Sequence, residues 1–135
     1  MANTVFAPTK GVILDGGINF GTATLKVDLI DTADDDPNTT TDDFYDDITA
    51  AAIESTATLA SVTTSTTGRL DSADPTFSAA SGDVSEELLL WNDTGGASST
   101  DHLVASYDTF TSGMPVTQNG GDITVQVHAN GWFDI

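Results

Sequence analysis

The chain has 135 residues, with 21 acidic against three basic side chains and a formal net charge of -18. Eighteen of the acids are Asp, and Lys10, Lys26 and Arg69 are the whole positive complement. This balance excludes nucleic acid as a partner, because phosphate is bound by Lys and Arg that replace its counterions; zero Cys excludes a disulfide framework, a thiolate metal site and a cysteine nucleophile. From the N-terminus, Val5 to Leu14 carries a weak helical pattern that Pro8 and Gly11 oppose. Thr22 to Ile30 (TATLKVDLI) alternates, predicting a strand with Leu25, Val27 and Leu29 on one face and Thr24, Lys26 and Asp28 on the other. Asp31 to Asp43 is the one long acidic loop, expected to face solvent. Next, Asp42 to Ile53 predicts a short helix, with Phe44, Ile48, Ala51 and Ala52 on one face and Asp42 or Asp43 as its cap. Further strands are predicted at Thr56 to Thr64, Glu87 to Trp91, Leu103 to Tyr107 and Ile123 to His128. Turn chemistry marks Asn92 to Gly96, Ser112 to Pro115, Asn119 to Asp122 and Asn130-Gly131. The sum is a single mainly-β domain over residues 1–135, an antiparallel β-sandwich or small barrel with one or two short helices.

Charge of this density repels the compact state. Relief comes at molar salt, where the Debye length shrinks to about 3 Å. Short carboxylates in place of Lys, with abundant Thr, Ala and Ser, match the proteins of extreme halophiles, so the charge reports first on the solvent. The unfolding midpoint is therefore expected to rise from low to multi-molar KCl. No stretch approaches the roughly 18 apolar residues of a membrane span. Met1-Ala2-Asn3-Thr4 lacks the basic start and apolar run of a signal peptide. The product is expected to be made and assembled in the cytoplasm of the cell that translates it.

Asp34, Asp36 and Asn38 imitate the first three ligand positions of a calcium loop, where alternate oxygens face one ion. Thr39 stands where the sharp turn needs Gly, and Tyr45 where a bidentate Glu belongs. A solvated acidic loop explains the triplet as well, and Asp42, Asp43, Asp46 and Asp47 offer only a looser cation site. Catalysis has little to stand on, and no cofactor is expected. His102 and His128 are the only histidines. Asp101 precedes His102 directly, and adjacent strand residues point to opposite faces, so Asp101 is not expected to orient it. Neither a G-x-S-x-G elbow nor a phosphate-cradling loop occurs. The sequons at Asn38 and Asn92 fall in predicted loops. The chain ends on Trp132, Phe133 and Ile135, expected either to close the sheet or to anchor another subunit.

Six short patterns occur in series: TATLKVDLIDT (Thr22 to Thr32), DDFYDDI (Asp42 to Ile48), DSADPTF (Asp71 to Phe77), LLLWNDTG (Leu88 to Gly95), LVASYDT (Leu103 to Thr109) and MPVTQNGGDITV (Met114 to Val125). Their order resembles small virion proteins of tailed phages, the head decoration (cement) proteins and related structural proteins. The resemblance implies a non-enzymatic capsid protein on the outer face of an icosahedral head, bound to the major capsid protein as a homo-oligomer, a trimer at local threefold positions. The alternative is a tail- or baseplate-associated module that contacts the host surface. This chain is more acidic than such relatives, which together with the salt argument implies a tailed virus of halophilic archaea. The attaching surface is expected in the least acidic parts: Met1 to Leu14 with Lys10, or Glu54 to Asp71 with Arg69, together with Trp132, Phe133 and Ile135. Glu54 to Asp71 reads equally well as an interior strand pair.

Overall fold

The computed structural model describes residues 3–134. In chain order the elements are β1 (Thr4–Val5), α1 (Ala7–Leu14), β2 (Thr24–Ile30), two 3-10 turns (Tyr45–Asp47 and Ala50–Ala52), β3 (Ile53–Thr58), β4 (Thr63–Thr64), β5 (Arg69–Asp71), β6 (Thr76–Phe77), β7 (Val84–Ser85), β8 (Glu87–Asp93), a 3-10 turn (Ser98–Thr100), β9 (Leu103–Tyr107), β10 (Val116–Thr117), β11 (Ile123–Thr124) and β12 (Phe133–Asp134). None of the helices among the described residues is long and apolar enough to cross a membrane.

Five strands form one antiparallel sheet in the order β1-β9-β8-β2-β3. The β2–β8 ladder runs in unbroken register from Thr24 opposite Asp93 to Ile30 opposite Glu87. Residues directly opposite each other share a face. Leu25, Val27 and Leu29 therefore lie with Leu88 and Leu90, and this buried cluster continues through Val104 and Ala105. Packed on it are three small antiparallel ladders, β4-β5-β12, β6-β11 and β7-β10. They deliver Leu70, Phe77 and Trp132 to the same core. The fold is mainly β, as the alternation predicts, with the second layer broken into short ladders. Among the described residues β1 and β3 stand at the two edges of the large sheet, which does not close into a barrel. Gly131 (φ 73°) lets β12 reach β5: a Cβ there would stand 2.3 Å from the Leu70 carbonyl oxygen.

Several elements differ from the sequence expectation. Asp42 to Ile53 is not an α-helix but two separate 3-10 turns followed by a strand. Phe44 is extended (φ -114°, ψ 159°) and bridges to His102. The Tyr45 N–H donates to the Asp101 carbonyl, the Leu103 N–H to the Asp43 carbonyl, and the Asp47 carboxylate takes the N–H groups of Asp43 and Phe44. The first two bonds are non-local and hold the backbone extended where a helix would need it to turn. Conversely, the weak pattern at Val5 to Leu14 yields the one α-helix among the described residues. Pro8 sits in its first turn, where a missing N–H costs nothing. Buried Phe6 and the Thr9 hydroxyl, which donates to the Leu103 carbonyl, fasten it to the sheet. The predicted strand Thr56 to Thr64 splits because Ser61 takes a left-handed conformation (φ 54°). Of Ile123 to His128 only Ile123–Thr124 is strand. Beyond it Val125 and Val127 donate to the Pro75 carbonyl and the Asp74 carboxylate, and Pro75 has no N–H to continue a ladder.

Candidate functional site

The second face of the large sheet carries Ile30, Leu89, Trp91 and Leu103, covered by Phe6, Ile48 and Ala52. By register it also carries Lys26, Asp28, Glu87 and Ser106. Asp28, expected on the face opposite Leu25, Val27 and Leu29, is fully buried, because the segment from Asp31 to Ala52 folds back over it. The Tyr45 hydroxyl donates to Asp28 Oδ2 at 2.6 Å, and Tyr45 stacks on Trp91 with ring centroids 3.9 Å apart. Asp28 Oδ1 and Trp91 Nε1 are buried without a hydrogen-bond partner among the described residues. Burial raises the Asp28 pKa, against the opposing pull of Tyr45, Thr56, Trp91 and Lys26. Burial likewise raises the Tyr45 hydroxyl, with the Asp28 charge adding to it. Glu87 is buried two rungs away and accepts from the Ser106 hydroxyl at 2.9 Å. Burial pushes its carboxyl up to about 7, Ser106 opposes this, and the like charges of Asp36 and Asp108 add to it. Lys26 pairs with Asp93 at 2.7 Å, and its ammonium lies 5.5 Å from the Trp91 ring centroid.

In the acidic loop the structure brings together a different trio from the one the spacing suggests. Asp34 lies with Asp31 and Glu54, their carboxylate oxygens within 4.8 Å of one another. Three such oxygens suit a hard cation, but two of the carboxylates already serve backbone donors. Asp31 Oδ1 accepts from the Ala33 N–H at 2.8 Å, and Glu54 Oε2 from the Asp83 N–H at 2.8 Å. Asp36 is exposed, and Asn38 turns its amide oxygen to the Thr40 N–H at 3.0 Å. The loop is not wholly solvated: Asp31 and Pro37 are buried.

Asp101 does not orient His102. Its carboxylate accepts from the Thr94 N–H and hydroxyl at 2.8 and 2.6 Å, holding the turn after β8. His102 Nδ1 instead meets Asp43 Oδ1 at 3.0 Å while its ring lies 4.7 Å from that of Phe44. Spacing gives no sign of this pair, which spans 59 positions. Among the described residues His102 bonds no hydroxyl, so the pair has no nucleophile to activate. Asn92 is buried within β8 rather than in a loop, whereas Asn38 is exposed.

The contact candidates separate. Lys10 is exposed on α1. Arg69 pairs with Asp134 at 3.1 Å, both side chains open to solvent. Trp132 belongs to this chain's own core: it is 9% exposed, its indole N–H donates to Ser72 Oγ and its carbonyl accepts from the Tyr107 hydroxyl. Phe133 is half-buried and edge-on to Phe20. Ile135 lies outside the described residues. Glu54 to Asp71 is not an interior strand pair: β3 is a sheet edge, and from Thr56 to Thr67 most side chains are exposed. An open groove of about 360 Å³ is lined by Glu86, Asp108, Thr109, Phe110, Met114 and Pro115. Its Glu86 carboxylate already accepts from the Thr32 N–H.

Compared with known protein families, curated proteins and solved structures, the chain matches none.

Proposed function

We propose that the chain is a capsid decoration (cement) protein. It binds the outer surface of a tailed-virus icosahedral head, contacts the major capsid protein and stabilises the shell as a homo-oligomer, a trimer. The observation that carries this reading is the distribution of charge. From Ser55 to Leu70 there is no Asp or Glu, although the chain holds 21. That stretch supplies edge strand β3 beyond Glu54, from Ser55 to Thr58, and the exposed, hydroxyl-rich run through Thr67. Two strongly negative surfaces repel even when screened, so the neutral edge is the surface that suits attachment, and the acidic loops suit the outer face. An open strand edge also offers unpaired main-chain groups to a partner strand. The six motifs in series supply the virion context.

The test is binding to purified capsids. Thr58→Asp and Thr64→Asp, both at exposed positions, should weaken binding strongly while leaving the unfolding midpoint in place. Gel densitometry of purified virions should give a copy number in the hundreds rather than the few dozen of a tail component. Undiminished binding, or localisation to the tail by labelled antibody, would count against the proposal.

A further inference from the structure

We propose that the outer face of α1 is a self-association surface, on which two copies of this chain pair their α1 helices antiparallel about a twofold axis. The exposed positions of α1 are Ala7, Lys10, Gly11 and Leu14, the i, i+3, i+4, i+7 spacing of one helical face. Leu14 is 81% exposed, the one exposed large hydrophobic among the described residues. Not one acid lies on the helix, APTKGVIL, in a chain that holds 21. Beside it runs an open groove of about 280 Å³ lined by Val5, Lys10, Ile13, Leu14 and Asp134.

Charge complementarity identifies the occupant as a second copy. Lys26 and Arg69 are paired with Asp93 and Asp134, whereas Lys10 has no carboxylate partner among the described residues. The C-terminal end of α1 has the opposite need. Its last turn holds no basic residue and is capped by exposed Asp15, a carboxylate at the negative end of the helix dipole. An antiparallel pairing that sets Ala7 against Leu14 of the partner subunit places Lys10 against Gly11 of the partner subunit. Helical side chains lean toward their own N-terminus, which in this arrangement is toward the partner's C-terminal end. Asp15 of the partner subunit is then about 6 Å further along the axis, within reach of a lysine stem. The twofold axis makes the contact twice. Gly11 fits as well: nothing lies within 4 Å of a Cβ placed there, so its open side lets two helix axes approach closely.

A helix of eight residues spans only about 12 Å, which makes a small and reversible contact. The net charge of -18 on each copy opposes association. Salt should therefore strengthen this dimer, the reverse of a contact held by ion pairs alone. The inference is independent of the virion reading: the proposed trimer assembles on the head, whereas this twofold pair is tested on the purified protein with no capsid present. Sedimentation equilibrium from low to multi-molar KCl should show the mass rising from 14.0 kDa toward twice that value. Leu14→Asp should hold the protein monomeric at every salt concentration without lowering its unfolding midpoint. Lys10→Ala should weaken the dimer a few-fold at the lowest KCl concentration that still gives one, and by progressively less at higher salt, as the two exposed ion pairs are screened. As the chain has no Cys, mixing Ala7→Cys with Leu14→Cys protein under mild oxidation should give the mixed disulfide in preference to either homodimer. Any of four results would overturn the proposal: a monomer throughout, a dimer indifferent to Leu14→Asp, an Ala7→Cys protein that links chiefly to itself, or dimerisation that appears only when Ile135 is deleted.

Discussion

Strand β2 feeds two faces of one sheet that are held in different ways. Leu25, Val27 and Leu29 enter a cluster whose buried members are apolar apart from the Tyr107 hydroxyl and the Trp132 indole N–H. Lys26, Asp28 and Ile30, alternating with them, enter a face that also encloses Glu87 and Tyr45. The first face is stabilised by area removed from water, about 1.5–3 kcal/mol for each large side chain fully buried. The second gains the same term from Leu89, Trp91 and Leu103 but spends part of it desolvating two carboxylates. A face held by area alone is indifferent to pH, and a face that encloses carboxylates is not.

The largest effect should come from the first face. Leu90→Ala removes a fully buried side chain and should cost about 2–5 kcal/mol in urea unfolding, the same at pH 5 as at pH 8. A loss that changes with pH would break the distinction between the faces. Glu87 sharpens it from the other side. Its folded-state pKa is raised from 4.5 to about 7, so the native state holds the proton more tightly than the unfolded chain does. The stability this gives is complete below pH 4.5 and is lost as the pH climbs to about 7. The loss is on the order of 2–3 kcal/mol. Glu87→Gln keeps an acceptor for Ser106 and should flatten the stability profile over that window. A slope unchanged in the variant would mean that Glu87 is not its source.

Next in size is Tyr45→Phe. It strips Asp28 Oδ2 of the Tyr45 hydroxyl that donates to it at 2.6 Å, and a buried acceptor that loses its donor costs about 1–3 kcal/mol. Because that donor favours the ionised carboxylate, its removal raises the already raised Asp28 pKa further. The penalty should therefore be greater at pH 8 than at pH 5, and chemical denaturation at the two values measures the difference. An equal loss at both would show that Asp28 does not change its protonation state between them.

The first face was legible in the sequence because it is written in period two: Leu25, Val27 and Leu29 alternate cleanly and all three are buried. Strand β9 was read at Leu103 to Tyr107, where all five residues are buried. The second face was not legible, since its cover is assembled over long separations. Asp28 looks like a solvated residue until the segment bearing Tyr45 and Ile48 is laid over it, and no local pattern announces that contact. The same reason explains Asp42 to Ile53, where the 3.6-residue period at Phe44, Ile48 and Ala51 lost to non-local backbone bonds with Asp101 and Leu103. At Ala7–Leu14 tertiary fastening through Phe6 and Thr9 outweighed a poor propensity. The acid-free stretch from Ser55 to Leu70 was visible as composition, but the position of its first residues on a sheet edge was not.

The smallest effect belongs to the rim of the second face, where Lys26 and Asp93 meet at 2.7 Å with side chains 27% and 21% exposed. The Lys26 ammonium and then the Gly95 N–H hold the Asp93 carboxyl below its ordinary value. The sign is opposite to that of Glu87: this contribution is present above pH 3.8 and is lost as the pH falls through the lowered value. A partly exposed pair is worth under about 1 kcal/mol. Lys26→Met, which keeps the apolar stem against Trp91, should cost no more than that in dilute buffer. In multi-molar KCl the cost should vanish, because the pair is screened. Over the same range the midpoint of the unaltered protein should rise as repulsion among 21 acids is relieved. Salt thus weakens one local attraction while strengthening the whole fold. If the Lys26→Met difference grew with salt instead, the side chain would be acting through its packing on Trp91 rather than through its charge.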